Sequence, residues 1–174
     1  MTLRIIAGEA RGRRLSSPEG MDVRPSTSRV REAVFNSLHS QGCLVGADML
    51  DLYAGSGALG LEALSRGAAS VTFVESAPAA LTALRANIDA VGFNDRCRVV
   101  AGDVMAELPR LDGDYDVALC DPPYRFNAWP ELLSRIPADT VMAESNQAVV
   151  PGPDWDVIKQ QRYAGTVVVI ACRR

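Results

Sequence analysis

The stretch Leu50-Asp51-Leu52-Tyr53-Ala54-Gly55-Ser56-Gly57-Ala58-Leu59-Gly60 joins an apolar run to three glycines and then to a helical pattern. The three glycines have the spacing G-x-G-x-x-G, which lets a strand turn sharply into a helix whose N-terminus faces a ligand. Glycine suits such a turn because positive φ costs it little and because it has no Cβ to block a ligand. The spacing alone predicts a site for a nucleotide-like molecule.

Short apolar runs alternate with helical patterns along most of the chain, which is typical of an α/β fold. The predicted strands of the main sheet cover residues 47–53, 70–75, 97–101, 115–120, 141–145, 155–161 and 165–172. The predicted helices cover residues 29–39 and 58–66, and a third begins at Pro78. We expect a mostly parallel, seven-stranded, Rossmann-like sheet with helices on both faces and a C-terminal antiparallel hairpin.

Four polar segments fall at the carboxyl ends of the first four predicted strands, namely residues 51–57, Glu75, Asp103 and residues 121–124. In open parallel sheets, ligands bind at this edge, near the point where the strand order reverses. The four segments are therefore expected to converge on one crevice. Their convergence is stronger evidence for a site than any one motif.

The N-terminal part of the chain has the opposite charge from the rest. Residues 1–40 contain seven arginines and four acidic residues, whereas the remaining 134 residues contain eleven basic and seventeen acidic residues. We predict a basic extension over residues 1–40, made of a hairpin between residues 3 and 15 and a helix, and a main domain over residues 41–174. A basic face of this kind favours a polyanion as partner, although a solvated arginine-rich surface explains the charge equally well.

Composition argues against several classes of protein. One histidine and four cysteines without a C-x-x-C pair do not fit the usual zinc sites, and we expect no metal. No apolar run reaches the roughly 20 residues that cross a bilayer, and we find no signal-peptide pattern. We expect a cytoplasmic protein without membrane contact, and since nothing marks an obligate interface, a monomer.

The glycine turn has three interpretations. Glu75 lies 20 residues beyond Gly55, where a dinucleotide-binding protein has an acid for a ribose hydroxyl. Asp51 favours an adenosyl compound with an ammonium group instead, because its carboxylate would repel a pyrophosphate. The third interpretation is a tight strand-to-helix turn that binds no ligand.

The series Asp51-x-x-x-Gly55-x-Gly57, Glu75, Asp103 and Asp121-Pro122-Pro123-Tyr124 resembles the motifs of Rossmann-fold S-adenosylmethionine-dependent methyltransferases. The resemblance implies S-adenosylmethionine as cofactor, S-adenosylhomocysteine as product, and Glu75 and Asp103 as contacts of the ribose and the adenine. For Asp103, an N-cap of a short helix is an equally good reading of the sequence. The cofactor contacts that the resemblance implies are Asp51, Tyr53, Gly55, Ser56, Gly57, Glu75, Ser76, Asp103 and Val104.

Two longer motifs resemble one family within that class. They are Arg24-Pro25-Ser26-Thr27-Ser28-Arg29-Val30-Arg31-Glu32, followed by Phe35-Asn36, and the stretch from Gly55 to Gly67. Both are similar to the RsmD family, which methylates the exocyclic N2 amino group of a guanine in 16S ribosomal RNA. Ser28 departs from that pattern, which has an acid there. The resemblance implies 16S ribosomal RNA of the small subunit, or of an assembly intermediate, as substrate.

The segment Asp121-Pro122-Pro123-Tyr124 has the groups that methylation of an amino nitrogen needs. Asp121 and the Pro122 carbonyl can accept the amino hydrogens and stabilise the positive charge that develops on nitrogen. Pro122 and Pro123 stiffen the loop, and Tyr124 offers a ring face to a base turned out of its stack. Tyr53, Phe126 and Trp129 fit packing better than base stacking.

The substrate is expected to contact the extension, because only about 20 residues separate Asp121 from the fifth strand and no recognition domain fits there. Alternatively, the segment 24–32 covers the cofactor, with Thr27 and Arg29 facing it. The candidate RNA contacts are Arg4, Arg11, Arg13, Arg14, Arg24, Thr27, Arg29 and Arg31.

Other functions stay open at this point. A DNA adenine-N6 or protein glutamine-N5 methyltransferase is the nearest alternative, and Asp121 together with the basic extension favours nucleic acid over protein. An NAD-dependent oxidoreductase would need a hydride-transfer site that the sequence does not offer. A non-catalytic RNA-binding assembly factor would have no use for the complete Asp121-Pro122-Pro123-Tyr124 motif.

Overall fold

A computed structural model describes residues 3–18 and 26–174 of the chain. Seven strands form one sheet: β1 (Asp48–Leu52), β2 (Ser70–Glu75), β3 (Cys97–Ala101), β4 (Tyr115–Cys120), β5 (Ala138–Ser145), β6 (Trp155–Tyr163) and β7 (Thr166–Arg173). Their order is β3-β2-β1-β4-β5-β7-β6. Strands β1 to β5 pair in parallel, and β7 is antiparallel to both β5 and β6. The predicted fold class is confirmed.

Five α-helices of the described residues connect or flank the strands: α1 (Ser28–Ser40), α2 (Ala58–Ser65), α3 (Pro78–Val91), α4 (Val104–Glu107) and α5 (Trp129–Arg135). Two 3₁₀ turns, Asn94–Arg96 and Leu108–Arg110, precede β3 and β4. None of these helices is long and apolar enough to span a membrane. Helix α5 was not predicted, because it has only seven residues, with Pro130 near its start.

The C-terminal hairpin differs from the prediction at its turn. We predicted residues 162–164 as the separator, whereas Tyr163 pairs with Thr166 and the loop consists of Ala164 and Gly165. Ala164 has a φ of 51°, as a two-residue hairpin loop requires. Strand β5 also begins at Ala138, three residues before the predicted start, because it pairs along its length with β4 and β7.

Each face of the sheet has its own apolar core. Because side chains alternate along a strand, Met49 of β1 contributes to one core while Leu50 and Leu52 contribute to the other. The first core also contains the apolar side of α1, including Val34 and Phe35. The second contains the buried side chains of α5, which are Trp129, Leu132 and Leu133, and Ala138, Val141 and Ala143 of β5.

The N-terminal segment packs on α2. Ile5 N donates to Arg13 O at 3.0 Å, which closes a hairpin-like turn with a single bridge between Arg4 and Arg14. The segment shares the first core with α1 and the sheet. Gly8 is required there, because a Cβ on it would lie 1.7 Å from Ser65 O.

Buried polar groups fasten the same segment. The Glu62 carboxylate accepts hydrogen bonds from Ile6 N at 2.8 Å and from Ala7 N at 3.1 Å. Farther along, Asn87 Oδ1 accepts a hydrogen bond from Ser16 N at 2.7 Å. The extension is thus anchored to two helices of the main body, α2 and α3.

Candidate active site

A cavity lies where the glycine turn, the end of β4 and the N-terminal extension meet. Its lining residues are Ser17, Pro18, Ser26, Tyr53, Ala54, Gly55, Ser56, Ala58, Leu59 and Asp121. Three of these come from the extension, so the cavity is not built by the sheet edge alone. The structure therefore brings the two segments that the sequence analysis singled out, the turn and the start of the Asp121 loop, to one place.

The turn holds its backbone in a conformation that few residues adopt. Gly55 and Gly57 have φ angles of 57° and 80°, and Tyr53 has a φ of 59° although it is not glycine. A left-handed non-glycine residue of this kind costs roughly 1–3 kcal/mol and is typical of functional sites. A Cβ on Gly55 would meet nothing within 4 Å, whereas one on Gly57 would lie 2.4 Å from Leu84. Gly57 therefore serves packing, while Gly55 leaves space on the outer side of the turn.

Asp51 lies behind this turn. Its side chain is 1% exposed, and its Oδ2 accepts a hydrogen bond from Gly60 N at 2.9 Å. Burial raises the pKa of Asp51 to about 8, and the nearby charge of Glu75 acts in the same direction. Because Gly57, the N-cap of α2, has no side chain, the Asp51 carboxyl takes over that role from the neighbouring strand.

Glu75 joins the end of β2 to the turn. Its Oε2 accepts a hydrogen bond from Gly55 N at 2.8 Å, and its Oε1 accepts from Ser76 N and Ala77 N at 2.8 Å each. A carboxylate has about four acceptor positions, so it can take one further donor. Ser76 is exposed beside it.

Asp103 has the geometry of a helix cap. Its Oδ1 accepts a hydrogen bond from Ala106 N at 3.0 Å at the start of α4, and its side chain is exposed. The next residue, Val104, is 2% exposed and belongs to the second core. The interpretation of Asp103 as a helix N-cap is thus confirmed, and its contact with adenine stays a prediction.

The loop after β4 exposes its end and buries its beginning. Asp121 is partly buried, Pro122 is buried, and Tyr124 is 50% exposed. Phe126 N donates to Pro123 O at 2.8 Å, which fixes the turn of the loop. Burial raises the pKa of the Asp121 carboxyl well above its usual range, and the neighbouring carboxyls of Glu144 and Asp51 raise it further.

Three aromatic rings at and beside the loop pack on one another. The ring centres of Tyr53 and Phe126 are 5.5 Å apart, and Phe126 meets Trp129 edge-on at 5.1 Å. Trp129 is 8% exposed. These contacts fit the packing interpretation. Of the aromatic residues considered, Tyr124 is the most accessible, with 50% of its surface exposed.

The arginines of the extension divide into two groups. Arg4, Arg11, Arg13, Arg14 and Arg29 are exposed. Thr27 is exposed as well, and its Oγ1 accepts a hydrogen bond from Val30 N at 3.3 Å as the N-cap of α1.

Arg31 differs from these exposed arginines, and its position corrects the prediction that it contacts RNA. The structure places its side chain inside the protein with 1% exposure, because its position on α1 faces the sheet. A residue so buried is not available to RNA on this surface. Arg24 lies outside the described residues.

Glu144 is a site residue that the sequence analysis missed. It is 6% exposed and lies near the end of β5. Cys120 pairs with Ala143, so Asp121 and Glu144 follow at neighbouring positions of adjacent parallel strands, with side chains on the same face. The signal in the sequence was an acid at the end of an apolar run, the same pattern that drew attention to Asp51 and Glu75.

Comparison with known proteins identifies relatives along nearly the whole chain. A family model described as Conserved hypothetical protein 95 matches residues 3–167. Ribosomal RNA small subunit methyltransferase D of Escherichia coli K12 is 40% identical over 132 residues, which are 76% of this chain and 65% of that protein, slightly less than two thirds. The protein of the same name from Haemophilus influenzae is 30% identical, over 91% of this chain and 88% of the relative.

The fold has solved counterparts. The structure of an Escherichia coli protein described as a methyltransferase superposes with a TM-score of 0.87 and 32% identity, covering 100% of this chain and 99% of the other. The seven-stranded sheet and its C-terminal hairpin are thus those of a Rossmann-like methyltransferase fold. Taken with the family model and the two sequence relatives, this likeness shows that the chain belongs to the RsmD family of methyltransferases.

Proposed function

We propose that this protein transfers a methyl group from S-adenosylmethionine to the exocyclic N2 amino group of a guanine in 16S ribosomal RNA. One observation carries the proposal: Asp121 and the turn at Gly55 and Ser56 line the same cavity. An acceptor for amino hydrogens therefore lies beside the turn that is suited to a methyl donor. The names of the two relatives support ribosomal RNA of the small subunit as the substrate.

The groups around the turn fit the polar parts of S-adenosylmethionine. The N-terminus of α2 suits a carboxylate, and the remaining acceptor position of Glu75 suits a ribose hydroxyl. The Asp51 carboxyl group, when ionised, would attract an ammonium group. When bound, the donor supplies an electrophilic methyl group and leaves as S-adenosylhomocysteine. The proposed contacts are Asp51, Tyr53, Gly55, Ser56, Gly57, Glu75, Ser76, Asp103 and Val104.

Asp121 is proposed to act on the amino group itself. Its carboxylate and the Pro122 carbonyl would accept the two amino hydrogens and aim the nitrogen lone pair at the methyl group. Both oxygens also stabilise positive charge on nitrogen, so their effect is larger in the transition state than in the ground state. The exposed ring of Tyr124 would stack on the base, which is worth about 1–3 kcal/mol at single-stranded sites.

The exposed arginines of the extension are proposed to hold the RNA. They lie on the segment that also supplies Ser17, Pro18 and Ser26 to the cavity, so phosphate contacts there would bring RNA to the reacting groups. We propose that a monomer acts in the cytoplasm, on the small subunit or an assembly intermediate. The proposed RNA contacts are Arg4, Arg11, Arg13, Arg14, Thr27 and Arg29.

The substitution Asp121→Ala tests the proposed chemistry. We expect the variant to bind S-adenosylmethionine as the unmodified protein does in calorimetry, and to lose methyl transfer by about 100-fold or more. Asp112→Ala, which removes an exposed acid before β4, is the matched control and should keep full activity. Turnover of Asp121→Ala near that of the control would contradict the role of Asp121.

A further inference from the structure

A cluster of buried charged groups lies behind Asp121, on the side of the sheet that α1 covers. Arg31 of α1, Glu62 of α2 and Glu144 of β5 are exposed by 1%, 0% and 6%. We call these three residues, with Arg66 and Asp121, the buried charge cluster. Arg66 joins it through a 2.7 Å ion pair with Glu62. Charged side chains are rarely buried to this degree unless they are paired or serve a function.

The hydrogen bonds of this cluster are unevenly distributed. Glu62 accepts from Ile6 N, Ala7 N and Arg66 Nε. Arg31 Nη2 donates to Arg4 O at 2.8 Å, but within residues 3–18 and 26–174 its Nε and Nη1 have no hydrogen-bond partner, and neither has Glu144 Oε2. Buried polar atoms without a hydrogen-bond partner are rare in folded proteins, so these atoms need an explanation.

The charges of the cluster favour the uptake of one proton. Asp51 beside the cluster has a pKa raised to about 8 and holds its own proton at neutral pH. The three carboxyl groups of Asp121, Glu144 and Glu62 are then set against two guanidinium groups, so one further proton makes the cluster neutral. Burial raises the pKa of Asp121, and Glu144 and Asp51 beside it raise it further. Burial also raises the pKa of Glu144, against the opposing effects of the Ser26 hydroxyl and the Arg31 guanidinium.

The proposed reaction releases a proton at this place. The amino nitrogen uses its lone pair to form the N–C bond, the S–C bond of the donor breaks with its electron pair left on sulfur, and one N–H bond then breaks with its electrons returned to nitrogen. One proton therefore leaves the amino group for each methyl group transferred. Among the described residues that line the cavity, Asp121 has the carboxyl group placed to accept this proton.

We propose that Asp121 and Glu144 share one proton and together accept the proton that the amino group loses, with Arg31 supplying a positive charge near Glu144. In the form of the pair in which Glu144 holds the shared proton, the Asp121 carboxylate is free to accept the amino hydrogens. The reaction proton then passes to Asp121, and the pair returns one proton to water. The proton transfer rests on the proposed function, because it needs the amino group as substrate. The shared proton does not depend on that function.

The shared proton is tested on the full chain without RNA. Side-chain carboxyl carbons are labelled with ¹³C and titrated by NMR in the unmodified protein and in Asp121→Asn, Glu144→Gln and Glu32→Gln. Glu32 is the matched control, since it is an exposed acid on α1 next to Arg31. Asp51→Asn assigns the separate raised titration of Asp51.

Two coupled carboxyl titrations are expected in the unmodified protein and in Glu32→Gln. Glu144→Gln should remove one of them and lower the other by about 1 pH unit or more, because the two groups repel each other when both are ionised. Two independent titrations near pH 4 in the unmodified protein would overturn the shared proton, even if a variant failed to fold.

Arg31 has its own test in the same titration. Arg31→Met should raise the pKa of Glu144, because it removes an opposing positive charge, and Arg31→Lys should restore it in part. In single-turnover methylation, Glu144→Gln should lower the rate and shift its pH profile without weakening cofactor binding. An unchanged profile would overturn the proton transfer. A shared proton in a protein that methylates no RNA would instead overturn the proposed function.

Discussion

The carboxyl group of Asp51 on β1 accepts a hydrogen bond from the backbone N–H of Gly60 in the first turn of α2, at 2.9 Å. The strand that leads into the glycine turn therefore caps the helix that leaves it. A Cβ on Gly60 would lie 2.9 Å from the same carboxyl oxygen and 2.3 Å from the Phe73 ring. The third glycine is thus needed for this close approach of helix to strand, as in dinucleotide-binding turns.

Asp51→Asn should change how stability depends on pH. Folding raises the pKa of Asp51 to about 8, so between roughly pH 4 and 8 the folded protein binds more protons than the unfolded chain. The free energy of unfolding contributed by Asp51 therefore falls as pH rises through this range. Thermal melts at about pH 5 and about pH 8 should show a smaller loss in Asp51→Asn than in the unmodified protein.

The control for this prediction is Asp139→Asn, which removes an exposed acid at the start of β5. It should follow the pH dependence of the unmodified protein. Parallel melting curves for Asp51→Asn and the unmodified protein would mean that Asp51 is ionised in the folded state.

Gly8→Ala should loosen the N-terminal segment. Gly8 and Gly12 have φ angles of 85° and 83°, so alanine is strained to a similar degree at both positions. At residue 8 the added Cβ would also lie 1.7 Å from Ser65 O, whereas at residue 12 it would meet nothing within 4 Å. We expect Gly8→Ala to lose about 1–3 kcal/mol more than Gly12→Ala in urea unfolding. Equal losses would show that the Gly8–Ser65 contact does not hold the segment.

The sequence predicted most of the sheet, because its strands are apolar runs that begin and end at clear breaks. The bounds of β2, β3 and β4 were correct to the residue, whereas short, proline-containing α5 has no pattern of its own. Convergence at the sheet edge was also predictable, since parallel strands direct their carboxyl ends to one side. The burial of Arg31 was harder to predict than the apolar face of α1, because Arg31 has the charge of a surface residue and yet is buried.

The exposed arginines should give RNA binding its salt dependence. Each phosphate contact contributes about 0.7–0.9 to the slope of log affinity against log salt concentration, so the double variant Arg13→Ala, Arg14→Ala should bind less tightly and with a shallower slope. Binding to a 16S ribosomal RNA fragment is measured at several salt concentrations. Arg85→Ala, an exposed arginine on α3, is the control. A slope that is unchanged in the double variant would remove Arg13 and Arg14 from the RNA surface.

Tyr124→Ala should weaken binding of the target base, while Tyr124→Phe should retain it. The ring is 50% exposed, and stacking of a base on an aromatic ring is worth about 1–3 kcal/mol, which corresponds to roughly 5- to 150-fold in KM or Kd. The phenylalanine variant keeps the ring and loses the hydroxyl group. An equal loss of binding in both variants would mean that the hydroxyl group and not the ring face is the contact, and no loss in either would remove Tyr124 from the base-binding site.

The most direct test of the account is to identify the atom that this protein methylates. The full chain is incubated with radiolabelled S-adenosylmethionine and, separately, with unmodified small subunits, naked 16S ribosomal RNA, DNA and a protein acceptor, and the labelled product is digested to nucleosides or amino acids. We expect label in 16S ribosomal RNA, in a nucleoside that comigrates with N2-methylguanosine, and label reduced by about 100-fold or more with Asp121→Ala. Label in N6-methyladenosine, in DNA or in methylglutamine would contradict the proposed function.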